Sequence, residues 1–404
     1  MFSPRNKRWS ICLSARVRRR AAVSLDARRI AATFGLPAGR TETILQSGRI
    51  EIGAGEIVAV VGPSGAGKSV LLREVLRRAK NAIRLAPIGR AAAKRPAIEA
   101  LRGGSLKERL GVLSRCGLAE ATALLTPAGC LSDGQRFRLV LARTLHRASR
   151  SDRCTLIVAD EFCSTLDRTT ATVLCRQVRS LVQKVHQGKK TSVALLLATP
   201  RMELLPALSP ARVYVKPLGG PLHVEKKTFA GGAALPDPAR WRIQPGTIRD
   251  YKTLGRFHYL TGPPAAHKRV YVIRTPRVWR RQGGPDVAAV LVVSPPVLTA
   301  RGRNVATFRR YTGPTRREAL RKLNAEVECI SRVIVHPTYR GAGLAKRLVR
   351  YAVAHSPMPV VEAMAAMGKM CPFFAAAGLH HAGLFRGQSQ YYHYYISQPA
   401  EYFR

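Results

Sequence analysis

The sequence predicts an α/β domain on a parallel sheet followed, beyond a linker, by an α+β domain. Three observations carry this reading. A β-branched apolar run from Glu56 to Val61 leads through a glycine-rich turn into the helical pattern Ser69–Lys80, the opening strand–loop–helix unit of a parallel sheet. Two further apolar runs, Thr155–Ala159 and Ser192–Ala198, supply buried strands separated by helical segments. From Pro217 to Pro245 the composition shifts to Gly, Pro and Ala with little periodicity, and new strand-like runs begin beyond it.

A chain of 404 residues exceeds one ordinary core. The divisions expected are a basic N-terminal arm and lead-in over 1–40, the α/β domain over 41–216, a Gly/Pro-rich linker over 217–245 and the second domain over 246–404. The second domain reads as strand-like runs at Val270–Arg274, Val287–Val293 and Ile330–Val335. A helix Gly343–Ala354, a strand Val360–Ala363 and a short helix Pro372–Ala377 follow.

Sixty-eight Lys and Arg against 23 Asp and Glu give a formal charge of +45. A compact chain tolerates such self-repulsion most easily beside a polyanion, so nucleic acid is the leading partner, with Arg enrichment throughout the source proteome as the alternative. The first twenty residues hold no acid and lack the apolar core of a secretory signal, which makes them a basic arm. The eight cysteines are scattered without a Cys-x-x-Cys pair, which fits a reducing cytoplasm better than a zinc site or disulfide framework. Apolar runs such as Ser192–Ala198 are far shorter than a membrane span, so no transmembrane segment of its own is expected.

Gly62-Pro63-Ser64-Gly65-Ala66-Gly67-Lys68-Ser69 fits the spacing of a phosphate-binding loop between a strand and a helix. Glycines turn successive backbone N–H groups inward around phosphates; Lys68 reaches the β/γ oxygens of ATP, and Ser69 holds Mg²⁺ at the helix N-terminus. Downstream come Leu131-Ser132-Asp133-Gly134-Gln135 before a helix, an apolar strand ending in Asp160-Glu161, and Ser164-Thr165-Leu166-Asp167.

These four marks, in this order, resemble the ABC ATPase family. The resemblance implies that Asp160 holds Mg²⁺ through water and that Glu161 polarises the attacking water as the catalytic carboxylate. It further implies that Ser132, Gly134 and Gln135 of the signature meet ATP bound to a second copy, so that ATP drives a homodimer. Two positions depart from the pattern: Asp133 stands where the family has Gly, and Thr199-Pro200 stands where a His is expected. No Gln loop is evident between the phosphate loop and the signature. ATP binding is therefore a firmer expectation than fast turnover.

In the second domain, Val335-His336-Pro337-Thr338-Tyr339-Arg340-Gly341-Ala342-Gly343-Leu344-Ala345 again runs strand, glycine turn, helix, without a Lys-Ser pair. Arg340-x-x-Gly343-x-Ala345 resembles the acyl-CoA motif of the GNAT acetyltransferases. That resemblance implies that Val335 and Arg340 to Ala345 bind the pyrophosphate of acetyl-CoA, with Arg340 and Gly343 carrying the match. Acyl transfer to an amine needs a base and an acid. Glu328, Glu326 and Glu362 are candidate bases, or else partners of nearby Arg. The family's usual tyrosine acid is replaced by Phe373-Phe374, leaving Cys371 or Tyr351 as substitutes.

Two aromatic features stay open between structure and function. His258-Tyr259 is a buried structural pair or a substrate-pocket pair, and Tyr391-Tyr392-His393-Tyr394-Tyr395 is an edge strand or a base-stacking surface. Taken whole, the chain resembles ABC-type ATPases fused to a predicted acetyltransferase domain: a P-loop α/β half followed by a GNAT-like α+β half. The functions to weigh are an ATP-driven acyltransferase acting on nucleic acid, a nucleic-acid-associated ATPase switch whose second half only binds, and an ATPase subunit of a separate transporter.

Overall fold

The structure, a computed structural model, describes residues 2–3, 8–18, 24–34, 41–186, 192–225, 237–258, 262, 264, 266–281, 284–368, 370–387 and 391–403. They form two compact units: Met1–Arg90 with Val140–Leu166 and Cys175–Ala234, and Ala91–Leu139 with Asp167–Leu174 and Leu235–Arg404. A cut at residue 217 was expected. The segments Ala91–Leu139 and Asp167–Leu174 instead belong with the second unit.

The first unit is built on a six-stranded sheet in the order Ala82–Arg84, Thr155–Ala159, Val193–Ala198, Ile57–Val61, Arg212–Val215, His223–Glu225. All neighbours are parallel except the last pair. Every residue of the three central strands is buried, as their unbroken apolar runs require of a sheet covered on both faces. The helix Lys68–Arg78 buries Leu71, Leu72 and Val75 in this core.

Residues expected as an irregular basic arm are in part a strand. Arg8–Arg18 pairs antiparallel with Thr41–Gly53, and Trp9, Ile11, Leu13 and Ala15 point inward into the same core as the phosphate-loop helix. Trp9 is fully buried, and its indole N–H donates to the Lys80 carbonyl. Arg8 and Arg16 are exposed on the outward face of this alternating strand. Leu25–Thr33, also within the expected arm, is a helix that starts on the Ser24 cap and buries nothing.

The second unit carries a seven-stranded sheet in the order Ile243–Pro245, Arg269–Arg274, Val287–Ser294, Val327–Val335, Val360–Ala365, Tyr391–Ile396, His380–Arg386. Only Val327–Val335 and Val360–Ala365 run parallel. On one face Trp241, Trp279, Leu344, Leu348 and Phe374 form the main core, and smaller clusters cover the other face. The stretch 217–245, expected as linker, supplies an edge strand to each sheet through His223–Glu225 and Ile243–Pro245; residues 226–236 lie outside the described residues. The aromatic run at 391–396 is no edge strand: it lies between two others, with Tyr394 and Tyr395 buried.

Candidate functional site

The loop Gly62 to Ser69 joins the strand Ile57–Val61 to the helix Lys68–Arg78. Gly62, Gly65 and Gly67 all take positive φ, which coils the loop back over the helix start. Gly62 has no alternative, since a Cβ there would meet the Lys216 carbonyl oxygen at 2.1 Å. At Gly67 a Cβ would meet the Ile44 side chain at 2.2 Å. Pro63, Ser64 and Gly65 are exposed, whereas Ala66 is buried and anchors the loop through its N–H to the Pro63 carbonyl. The Lys68 ammonium donates to the Gly62 and Pro63 carbonyls at 2.8 and 2.7 Å, which holds the cation at the rim of the loop.

Thr155–Ala159 delivers Asp160 beside this loop. A cavity of about 220 Å³ runs along the flank of the helix Lys68–Arg78, where Ser69 and Asp160 share the lining with Leu72, Leu76, Arg73 and Arg84. The Ser69 hydroxyl and Asp160 carboxylate are oxygen donors of the kind Mg²⁺ takes, whereas Arg73 and Arg84 on the same cavity oppose a cation. Glu161 follows in the left-handed region, φ +47°, with its N–H donating to Asp160 and its side chain exposed. The turn swings two consecutive carboxylates apart, one toward the cavity and one toward solvent.

Beyond this, Thr199 is buried and Pro200 exposed where the resemblance expects His. Arg201 follows and donates to the Cys163 and Leu166 carbonyls, so it braces the Ser164–Leu166 turn. The missing Gln loop has a plain cause: no glutamine occurs between Gln46 and Gln135. The segment after Ala82–Arg84 reads Leu85-Ala86-Pro87-Ile88, with Arg143 donating to the Ala86 carbonyl.

The signature opens the helix Asp133–Ser149. The Ser132 hydroxyl accepts from the Gln135 N–H, and the Gln135 side chain accepts from the Ser132 N–H, a reciprocal cap. Asp133 is exposed at the first turn with Arg136 at 3.4 Å, and Gly134 has its carbonyl bound by Arg138. Asp133 favours the helix dipole but opposes an incoming phosphate, and Arg136 offsets part of that charge.

In the second unit, Val327–Val335 passes through the short turn Pro337–Tyr339 into a loop where Gly341 and Gly343 are both left-handed. Helix Leu344–Ala354 starts there, with Leu344 buried and Ala342 and Ala345 half-buried. A Cβ at Gly343 would meet nothing within 4 Å. The Arg340 side chain is mostly buried; its Nε donates to the Val335 carbonyl, and it lies 3.8 Å from Glu120. Val327–Val335 and Val360–Ala365 pair only from Val327/Val360 to Ile330/Ala363; beyond that point the first continues along Val287–Ser294 and the second along Tyr391–Ile396.

Of the two roles left open for the glutamates, candidate base or partner of a nearby arginine, the structure displays the arginine pairs. Glu328 and Glu362 are both fully buried, and each is bound by an arginine, Glu328 by Arg269 and Glu362 by Arg303. Glu362 also accepts from the Tyr394 hydroxyl. Their lone pairs are spent on structural partners, which is how a protein keeps buried charge satisfied. Glu326 ends a helix, paired with Arg310 and Tyr311. Of the substitute acids, Tyr351 stacks on His355 at 3.8 Å, and Cys371 is exposed. Tyr259 lies outside the described residues; His258 caps the turn Gly255–Phe257. His336, missed in the sequence, sits at the end of the motif strand. Burial and the nearby Arg340 and Arg256 push its imidazole down to about 4.

Among the described residues no helix is long and apolar enough to cross a membrane. Residues 38–196 match the family profile described as AAA ATPase domain. The putative ABC transporter ATP-binding protein YjkB of Bacillus subtilis is 32% identical over 183 residues, covering 38% of this chain and 69% of that protein. The lipoprotein-releasing system ATP-binding protein LolD 2 of Rhodopseudomonas palustris is 30% identical over 201 residues, covering 41% and 81%. An ABC-type transporter of Zymoseptoria tritici is 30% identical over 178 residues, 39% of this chain, which spans only 12% of that protein. Among solved structures, an ATP-binding cassette dimer in a post-hydrolysis state with ADP and phosphate gives a TM-score of 0.38 at 18% identity, covering 55% of this chain and all of that one.

Proposed function

Because this chain belongs to the ABC-type ATPase family, we propose that ATP hydrolysis at its phosphate loop drives an acyl-CoA-dependent transferase in its second unit, acting on nucleic acid in the cytoplasm. At the ATP site, Lys68 and the N–H groups of Ser64, Gly65 and Gly67 to Ser69 neutralise the phosphates. Ser69 and Asp160 hold Mg²⁺, which offsets charge developing on the γ-phosphate. Glu161 orients the attacking water. Ser132, Gly134 and Gln135 face ATP held by a second copy, so the active form is an ATP-dependent homodimer. With Pro200 at the His position and no Gln loop, turnover is slow, and the nucleotide acts as a timer.

The observation that supports the acyl-CoA half is the divergence of the two parallel strands after Ile330/Ala363, above a loop with two left-handed glycines that starts a helix. Backbone N–H groups of Gly341 and Gly343 to Ala345 at a helix N-terminus suit a pyrophosphate, with the Ala342 N–H already given to the Tyr339 carbonyl, and diverging strands leave room for an extended pantetheine arm. In the transfer, an amine nitrogen attacks the thioester carbonyl, the C–S bond breaks as C–N forms, and the amine proton ends on the thiol. This resembles the GNAT arrangement.

One observation favours a second reading, in which the second unit binds acyl-CoA without transferring its acyl group: Glu328 and Glu362 are both tied to arginine. The relatives' names offer a third, an ATPase subunit of a separate transporter; the +45 charge and the second unit weigh against it. Titration with acetyl-CoA, followed by transfer of its labelled acetyl group onto nucleic acid, separates the three. Binding with label transfer supports the transferase, and binding without transfer supports the ATPase switch. No binding leaves the transporter subunit.

A further inference from the structure

We propose that Glu120 is a positioning residue shared by two sites: it holds Arg340 of the acyl-CoA loop and, through Arg138, the signature that meets ATP, so that acyl-CoA and ATP strengthen each other's binding. The inference rests on the reading above that the second unit binds acyl-CoA and that Ser132 and Gly134 meet ATP held by a second copy. It supplies the residues that join the two.

Every residue concerned belongs to the second compact unit, which takes in Ala91–Leu139 and Asp167–Leu174 together with Leu235–Arg404. Arg138 lies one helical turn after Gly134. Its guanidinium donates to the Gly134 carbonyl at 3.1 Å and to the Gly117 carbonyl at 2.7 Å, which ties the signature to the segment that leads into Glu120. On the acyl-CoA side, Arg340 Nη1 stands 3.8 Å from the Glu120 carboxylate, too far for a hydrogen bond. That nitrogen is buried without a hydrogen-bond partner among the described residues. Glu120 precedes the short helix Ala121–Leu125 yet gives it no side-chain cap, so local helix chemistry does not account for the carboxylate. Burial pushes both guanidiniums below the ordinary arginine range; the Glu120 charge offsets part of this at each, while Arg138 adds to it at Arg340.

A second connection supports the first. The Thr170 hydroxyl meets the Thr338 hydroxyl at 3.5 Å, and Val173 is buried in the same core as Tyr339 and Leu344. Residues just beyond the Ser164–Asp167 loop are therefore packed with the turn that carries Arg340.

One carboxylate serving two arginines sets the sign of the coupling. A pyrophosphate over the acyl-CoA loop offers Arg340 a closer, more highly charged partner than the loosely placed Glu120. The Glu120 charge then falls to Arg138, which braces the Gly134 carbonyl in the signature. Acyl-CoA thereby favours the seating of ATP, and linkage requires ATP to favour acyl-CoA by the same factor.

The test is calorimetric titration of the full chain with acetyl-CoA, with and without a saturating non-hydrolysable ATP analogue and Mg²⁺, followed by the reciprocal titration. In wild type each ligand tightens the other by about 5- to 150-fold. Glu120→Gln binds acetyl-CoA more tightly than wild type without nucleotide, because the competing carboxylate is gone, and the analogue no longer changes that affinity. A gain in affinity is a result that a damaged fold does not produce. Glu120→Asp keeps the charge and remains coupled. Undiminished coupling in Glu120→Gln overturns the proposal, and so does weaker nucleotide-free binding, which would make Glu120 a structural support. Independent binding of the two ligands by wild type overturns the coupling while acyl-CoA binding stands. No acetyl-CoA binding by wild type overturns the reading beneath it as well.

Discussion

At the scale of single residues, the two glycine loops differ in what they forbid. Gly62 is enclosed by the Lys216 carbonyl, so Gly62→Ala displaces the loop and abolishes ATP binding, measured by equilibrium titration with a fluorescent ATP analogue. Gly343 faces open space, so Gly343→Ala costs only the left-handed strain of about 1 kcal/mol, and thermal melting shifts little. Gly343→Trp places its ring where a pyrophosphate would approach, and acetyl-CoA affinity falls while ATP affinity holds. His336 gives the second unit a pH dependence. Its folded-state value is depressed to about 4 from 6.5, so the unfolded chain takes the proton more readily. The stabilisation is complete above about pH 6.5 and is lost as pH falls toward 4, on the order of 2–3 kcal/mol. His336→Asn flattens that part of a stability–pH curve from chemical denaturation; an unchanged slope would assign the pH dependence to other groups.

At the scale of elements, the strand Arg8–Arg18 has a role its charge concealed. It carries four inward side chains, Trp9, Ile11, Leu13 and Ala15, into the ATPase core. Deleting residues 1–18 therefore destroys ATP binding and the cooperative melting of the first unit; a truncated chain that still binds ATP normally would restore the reading of a free arm. The alternation was present in the sequence, but the arginines between the apolar positions made charge the louder signal than period. The phosphate loop, the acidic strand and the signature before its helix were legible because each depends on residues close together in the chain. Glu362 stayed open between a base and an arginine partner because Arg303 lies 59 residues away, and no local pattern announces a long-range buried pair. His223–Glu225 gave no signal either, being three exposed residues whose place is set by pairing with Arg212–Val215. Breaking the Arg303–Glu362 pair with Glu362→Ala strands a buried charge at a cost of about 3–5 kcal/mol, so calorimetry should show the second unit melting early.

At the scale of the whole molecule, the proposed ATP site shared between two copies makes the homodimer the claim to test. Within one chain Ser132 and Gln135 cap a helix and the Gly134 carbonyl accepts from Arg138. Asp133 stands in the signature where the family has Gly and Pro200 where a His is expected, and the proposed reading expects an association that depends on nucleotide. Glu161→Gln should retain ATP while blocking its hydrolysis and so trap whatever assembly ATP induces. Sedimentation of Glu161→Gln with saturating Mg-ATP is the direct measurement. The shared site requires a dimer with ATP, a monomer without it, and a monomer that still binds ATP when Ser132→Arg is added; a Glu161→Gln chain that binds ATP yet stays monomeric at saturation would contradict it.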